Sequence, residues 1–244
     1  AMSGPGQDGG PPLPGATVAD VAAGGMHAAL AVVTALLRRA VTGEGAFLDV
    51  SVADGVLWLM SLQVDEHLAT GSEPAPGHDV LSGRYACYAT YRARDGRWLA
   101  VAAIEPKFFA NLCKTLGLEE WIDGQYEDAA QDQIRRALAD AFASDDRDSW
   151  VERLANLDTC VAPVQGISEI VNDEQFAASG AFVEVKSAGH GSFRQVGAVL
   201  AGTARLSEPV HVPDDGATDT DVLLSAAGYP PSRISDLRER GVVA

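Results

Sequence analysis

Two carboxylates occupy positions where proton chemistry could use them. Asp20 sits where a Gly/Pro-rich lead-in gives way to an apolar, helix-forming run. A carboxylate there accepts free backbone N–H groups and lies at the positive end of the helix dipole, so a plain N-cap explains it as readily as catalysis does. Gly24, Gly25 and Met26 shift that balance, because two glycines inside a helix cost stability and imply that another helix or a ligand approaches the backbone closely. Glu105 follows the strand-like run Arg97–Ala103 and precedes Pro106, a favoured first residue of a helix. In α/β proteins, sites commonly lie at such strand ends. Its neighbours Ala102, Ala103, Ile104, Phe108 and Phe109 would surround it with the apolar environment that a proton-transferring carboxyl needs. An N-cap glutamate is the plain alternative.

The remaining candidates are weaker. Five histidines are scattered along the chain, and only His27, seven residues from Asp20, would share its helix side after two α-helical turns. Strand alternation puts Tyr85 and Tyr91 on one face and Tyr88 on the other, where it could line a pocket. Cys87, Cys113 and Cys160 show neither a metal-ligand spacing nor a disulfide framework, which points to a reducing compartment and no metal. A Gly-x-Ser-x-Gly elbow and a phosphate-cradling loop are both missing from the sequence.

The elements that must position these residues follow from periodicity and punctuation. Residues 1–16 form a Gly/Pro-rich connector. A helix is predicted from Asp20 to Ala40, a short strand from Phe47 to Val52, and a second helix from Asp54 to Ala69. Tyr85–Tyr91 and Arg97–Ala103 form a hairpin through a two-residue Asp95-Gly96 turn, and Pro106 opens a helix through Leu116. Helices over 126–143 and 146–156, short strands near Val161, Phe182 and Ser192, and two tail helices broken at Tyr229-Pro230-Pro231 complete the pattern. Alternating helices and strands indicate an α/β protein.

Composition limits the partners. The 244 residues are 47% hydrophobic and carry a formal charge of −16 from 34 acidic and 18 basic side chains, which argues against nucleic acid. The most apolar run, Ala28 to Leu37, ends at two arginines and is shorter than the roughly 20 residues that span a bilayer. The beginning shows no basic-then-apolar signal pattern. A cytoplasmic protein without membrane contact is the expectation.

Taken together, these segments resemble family III CoA transferases, the carnitine dehydratase and bile-acid-inducible F group. ADVAAGGMHAALAVVTALLRRAVTGEGAFLDVSVADG (19–55) carries an aspartate before a Gly-containing helix, a TGxG turn at Thr42–Gly45 and a DVS strand at Asp49–Ser51. YATYRARDGRWLAVAAIEPKFFANLCKTLGL (88–118), with its IEPKFF, and LDTCVAPVQGISEIVNDEQF (157–176) are similar to the α-methylacyl-CoA racemase branch. The ending AAGYPPSRISDLRERGVV is general to the group.

That resemblance implies catalytic roles for Asp20 and Glu105 and places Tyr88 where the racemases line the acyl pocket; Met26 and Gly25, on the glycine-containing helix, are the further candidates for substrate contact. The substrate is an acyl-CoA thioester, with coenzyme A entering as part of it and no other cofactor bound. The implied fold is part of a large α/β domain (17–80), a smaller α/β domain (81–186) and a C-terminal return to the large domain (187–244). Two chains of this group interlock, and a site forms between the large domain of one and the small domain of the other. Nothing here matches the nucleotide-binding half that comes first in the group and carries the racemase histidine. The expectation is therefore a chain completed by a separate N-terminal-half subunit, by a homodimer partner, or by both. Met2 either starts a split subunit or lies inside a longer protein. Racemisation, CoA transfer through an Asp20 nucleophile, and a non-catalytic partner role all remain open.

Overall fold

The computed structural model describes residues 16–187, 189–197, 202, 208–212 and 219–243. The connector 1–16 thus falls, but for Ala16, outside the described residues. The chain divides into two units at Val164/Gln165, inside the 81–186 segment.

The first unit opens with a π-helix, Val18–Met26, that runs directly into α1 (His27–Thr42). Thr17 takes the N-cap position, so Asp20 lies in the first turn and does not cap. Gly43, in the left-handed conformation, ends α1. Together Val18–Thr42 make one 25-residue helix, long and apolar enough by length and composition to cross a membrane. It outruns the apolar stretch Ala28–Leu37 because the small residues before Ala28 wind into the same helix. None of the sixteen residues of α1 is buried. The predicted second helix is two, α2 (Val52–Leu59), capped by the Ser51 hydroxyl, and α3 (Ser61–Thr70), separated at Met60. No strand forms at Phe47–Val52. The stretch before α2 has no sheet partner among the described residues, and Phe47 is 94% exposed.

The glycines are explained by α2 crossing the π-helix. A methyl group on Gly55 would lie 2.2 Å from the Ala23 carbonyl oxygen, and one on Gly24 would lie 3.0 Å from Val52 Cγ2. The close approach expected at the double glycine is therefore made by another helix.

The rest of this unit is a three-stranded antiparallel sheet, ordered β1 (Tyr88–Arg92), β2 (Trp98–Ala102), β3 (Val161–Pro163). It is combined with α4 (Pro106–Leu116), α5 (Gln131–Phe142) and α6 (Arg147–Leu154). The hairpin forms, but its turn is longer than predicted. Ala93 N–H donates to Arg97 O, Gly96 N–H donates to Ala93 O, and Gly96 takes φ +82°. Leu99, Val101, Tyr91, Phe109, Leu112, Leu138, Phe142 and Trp150 fuse into one core. Tyr91, Leu99 and Val101 come from the inner face of the sheet. Tyr88 pairs with Ala102 on the outer face, as alternation requires.

The second unit has a sheet ordered β5 (Gly191–Val196), β4 (Phe182–Ser187), β6 (Val210–Val212), with β4–β6 parallel. Its helices are α7 (Ile167–Ile170), α8 (Glu174–Ala178), α9 (Thr220–Ala226) and α10 (Pro231–Glu239). An ion pair between Arg238 and Asp221 joins the last two at 3.1 Å. Helices and sheets are mixed throughout, consistent with an α/β protein.

Candidate active site

Glu105 occupies the N-cap position of α4, with Pro106 first in the helix, yet its carboxylate makes no capping bond. Its backbone carbonyl accepts from Phe108 and Phe109 instead. Ala103 and Phe109 are buried, but they face the core while Glu105 faces solvent. The apolar enclosure expected from its neighbours does not form within this chain. The strand end that carries it is held firmly. Ala102 N–H donates to Cys160 O and Ala103 N–H to Cys87 O, both at 2.9 Å, Gln125 donates to the carbonyls of Ala103 and Ile104, and the Tyr126 hydroxyl donates to Ile104 O.

Residues not singled out from the sequence gather around this carboxylate. Burial raises the Tyr126 phenol, and the nearby charges of Cys87 and Glu105 add to the effect. The Cys160 thiol is also raised, first by desolvation, then by Glu105 and Asp158, with Lys107 opposing. Asp158 and Cys160 are the non-glycine residues with positive φ among those described, at 48° and 51°. Strained backbone of this kind costs about 1–3 kcal/mol per residue and clusters at functional sites. Of these, only the cysteines had drawn notice in the sequence, for their thiols; the folding of Cys160 against β2 has no local signal.

Asp20 is exposed on the first turn of the π-helix. Winding by i→i+5 bonds changes the helix phase, so seven residues no longer return His27 to the Asp20 side. Met26 and His27 instead line an apolar cavity of about 390 Å³ with Ala22, Leu30, Trp58 and Leu59. His27 Nδ1 is buried there without a hydrogen-bond partner. Gly25 is exposed and faces its own helix, where an added methyl would sit 3.3 Å from Asp20 O.

Tyr88 lines a second cavity, of about 700 Å³, on the outer face of the sheet with Thr90, Ala100, Ala102, Leu81 and Arg135. Neither cavity is lined by Asp20 or Glu105. The fold therefore brings Met26 to one cavity and Tyr88 to another, and leaves both carboxylates open on the surface.

One cluster resembles a divalent-cation site. Glu66, His78 and Asp79 bring ligand atoms within 4.8 Å of one another. Hydrogen bonds already satisfy them: His78 Nε2 meets the Glu66 carboxylate at 2.9 and 3.0 Å, and Gln63 donates to Asp79 at 2.8 Å. They latch α3 to the segment before β1.

Comparison with known proteins adds the family. Residues 1–214 match CoA-transferase family III. The chain is 32% identical to human alpha-methylacyl-CoA racemase over 167 residues, which is 68% of this chain and 44% of that protein. It is 24% identical to human succinyl-CoA:glutarate CoA-transferase over 249 residues, 99% of this chain and 56% of that one. The crystal structure of Rv3272 from Mycobacterium tuberculosis shares the fold, with a TM-score of 0.69 at 21% identity over 86% of this chain and 56% of that one. The chain spans about half the length of these curated relatives. A match to the family over most of the sequence makes this chain a member of CoA-transferase family III.

Proposed function

We propose that this chain is the carboxyl-terminal part of an acyl-CoA racemase that exchanges the α-proton of a 2-methylacyl-CoA thioester, and that a nucleotide-binding half and a second copy complete its site. The observation that carries the reading is that both carboxylates, and the apolar helix that follows Asp20, lie uncovered. Asp20 and Glu105 are exposed, and so are Leu30, Val33, Leu36 and Leu37 of α1. A helix apolar on most sides and buried on none awaits a covering surface. In an interlocked dimer the Asp20 of one chain faces the small domain of the other, which carries Glu105. Two proton carriers on opposite faces of an α-carbon then remove and return the proton, while donors from the covering half face the thioester oxygen as charge builds there. The greater identity to the racemase than to the transferase favours this chemistry.

The transferase reading has one observation in its favour, the match to the succinyl-CoA:glutarate enzyme along 99% of the chain. In it the Asp20 carboxylate attacks the thioester carbonyl, the C–S bond breaks, CoA leaves as its thiolate and a mixed anhydride forms. The acid is released from that anhydride when CoA passes to another carboxylate. Incubation with 2-methylacyl-CoA in heavy water, with the completing half co-expressed, decides between them. Racemase chemistry predicts α-deuteration and no hydroxamate at Asp20 after hydroxylamine treatment. A trapped Asp20 hydroxamate with no α-exchange would replace the racemase by the transferase, and neither signal would leave a non-catalytic partner role.

A further inference from the structure

The cavity that Tyr88 lines contains a cation with no carboxylate partner among the described residues. Arg135, on α5, donates from Nη2 to the backbone carbonyls of Gly83 at 3.0 Å and Arg84 at 3.3 Å, which fixes its guanidinium against the cavity wall. Among the described residues its Nε and Nη1 hydrogens have no protein acceptor, and no carboxylate lies within ion-pair distance of it. Arg84, Arg94, Arg97, Arg147 and Arg153, by contrast, each meet an aspartate. Three acids close in sequence to the cavity wall are already engaged: Asp79 by Gln63, Glu66 by His78, Asp128 by Arg84. The Arg135 charge is felt in the interior, where it opposes the effect of burial on Cys87 and Tyr91. The rest of the lining is mild, with Leu81, Ala100, Ala102 and the Tyr88 ring beside the Thr90 and Ser82 hydroxyls.

We propose that this cavity receives an acyl group ending in a carboxylate, with the carboxylate held by Arg135 and the carbon chain lying across the outer face of β1 and β2. The inference rests on reading the Tyr88 cavity as the acyl pocket, and it specifies the substrate further: a thioester whose acyl chain carries a second acid group. A fixed guanidinium with unused donors selects a planar anion through charge-assisted hydrogen bonds. The cavity volume of about 700 Å³ suits a small-molecule ligand. A purely aliphatic acyl chain would leave that charge unmatched.

Binding tests this without any turnover, so it is independent of the racemase assignment. The full chain is titrated with succinate, with butyrate and with inorganic phosphate, and backbone amide shifts are followed by NMR. Both carboxylates are expected to shift Thr90, Ala100 and Ala102, with phosphate weaker than either. Arg135→Gln, which retains an amide donor for the Gly83 carbonyl, is expected to weaken succinate binding by about tenfold or more. Arg135→Lys, which keeps the charge but loses the planar donors, should fall between. If Arg135→Gln does not fold, the Lys variant and the wild-type shift map decide. Tighter binding of phosphate would overturn the proposal, because the site would then hold the phosphates of CoA. Equal succinate binding by wild type and variants, shifts confined to other regions, or no binding by either carboxylate would also overturn it. Carboxylate binding at Arg135 together with an absence of α-exchange would sink the racemase reading alone.

Discussion

At the scale of single residues, the electrostatic coupling of Glu105 to Cys160 offers a readout of the site that needs no substrate. Cys160 is exposed, whereas Cys87 and Cys113 are buried, and burial pushes the Cys113 thiol up to about 12. Native alkylation should therefore report on Cys160 alone. Its thiol is raised by desolvation first and by the Glu105 charge next. Glu105→Gln removes that negative charge, so the thiolate becomes less unfavourable, its pKa falls and a larger fraction is ionised at pH 8. The iodoacetamide rate at Cys160 should rise by less than about tenfold, since one pKa unit is worth tenfold and desolvation stays in place. An unchanged rate would separate Cys160 from Glu105. The same substitution, like Asp20→Asn, is expected to lower α-proton exchange in the completed enzyme by about 10²-fold or more, the usual contribution of a positioned acid–base group. Heavy-water exchange monitored by mass spectrometry checks it. Both carboxylates were legible as candidates because strand end, proline and helix start are local signals. Tyr126, Cys160 and Arg135 were not, because long-range hydrogen bonds such as Arg135 to Gly83, 52 residues apart, make them neighbours.

At the scale of elements, the crossing of α2 over the π-helix is the most demanding contact in the helical layer. The Cβ of Gly55→Ala would meet the Ala23 backbone at 2.2 Å, a distance that no rotamer can relieve. The two helices must part, and an overpacking cost of about 1–3 kcal/mol follows. Thermal denaturation monitored by circular dichroism should show a lowered Tm, while Gly45→Ala, in open space, should leave it nearly unchanged. The sequence disclosed that glycines in this layer mark a close approach, yet it drew attention to Gly24 and Gly25. The partner glycine, Gly55, becomes visible only when Ala23 is placed against it. The hairpin was legible because alternation assigns Tyr88 and Tyr91 to opposite faces. Its turn was not, because Asp95-Gly96 serves equally in a two-residue loop and in the longer one that forms, with Gly96 alone at positive φ. The strand expected at Phe47–Val52 shows the limit of reading elements locally: β propensity describes a strand only when a neighbouring strand accepts its hydrogen bonds.

At the scale of the whole molecule, burial is divided unevenly along the first unit. Leu99, Phe109, Leu112, Leu138 and Phe142 are fully buried in the sheet and helices after Tyr85, whereas Leu30 is 62% exposed, Leu37 68% and Trp58 72%. Burying one such side chain contributes about 1.5–3 kcal/mol, so covering this layer would supply ample affinity for a partner. If the covering surface is a second copy with its nucleotide-binding half, a charge placed in the layer must oppose assembly and leave the sheet core alone. Leu37→Asp is the test, because its side chain is exposed and α1 has no buried residue to lose. Sedimentation velocity of the completed enzyme should show weakened association, and heavy-water exchange should fall with it, since Asp20 and Glu105 would no longer be held across the same thioester. The protection of Leu99 and Val101 amides against hydrogen exchange should persist, as they belong to a separate core. Association and exchange that both survive the charge would mean that the apolar layer is not where the site is assembled, and the two carboxylates would need another way to meet.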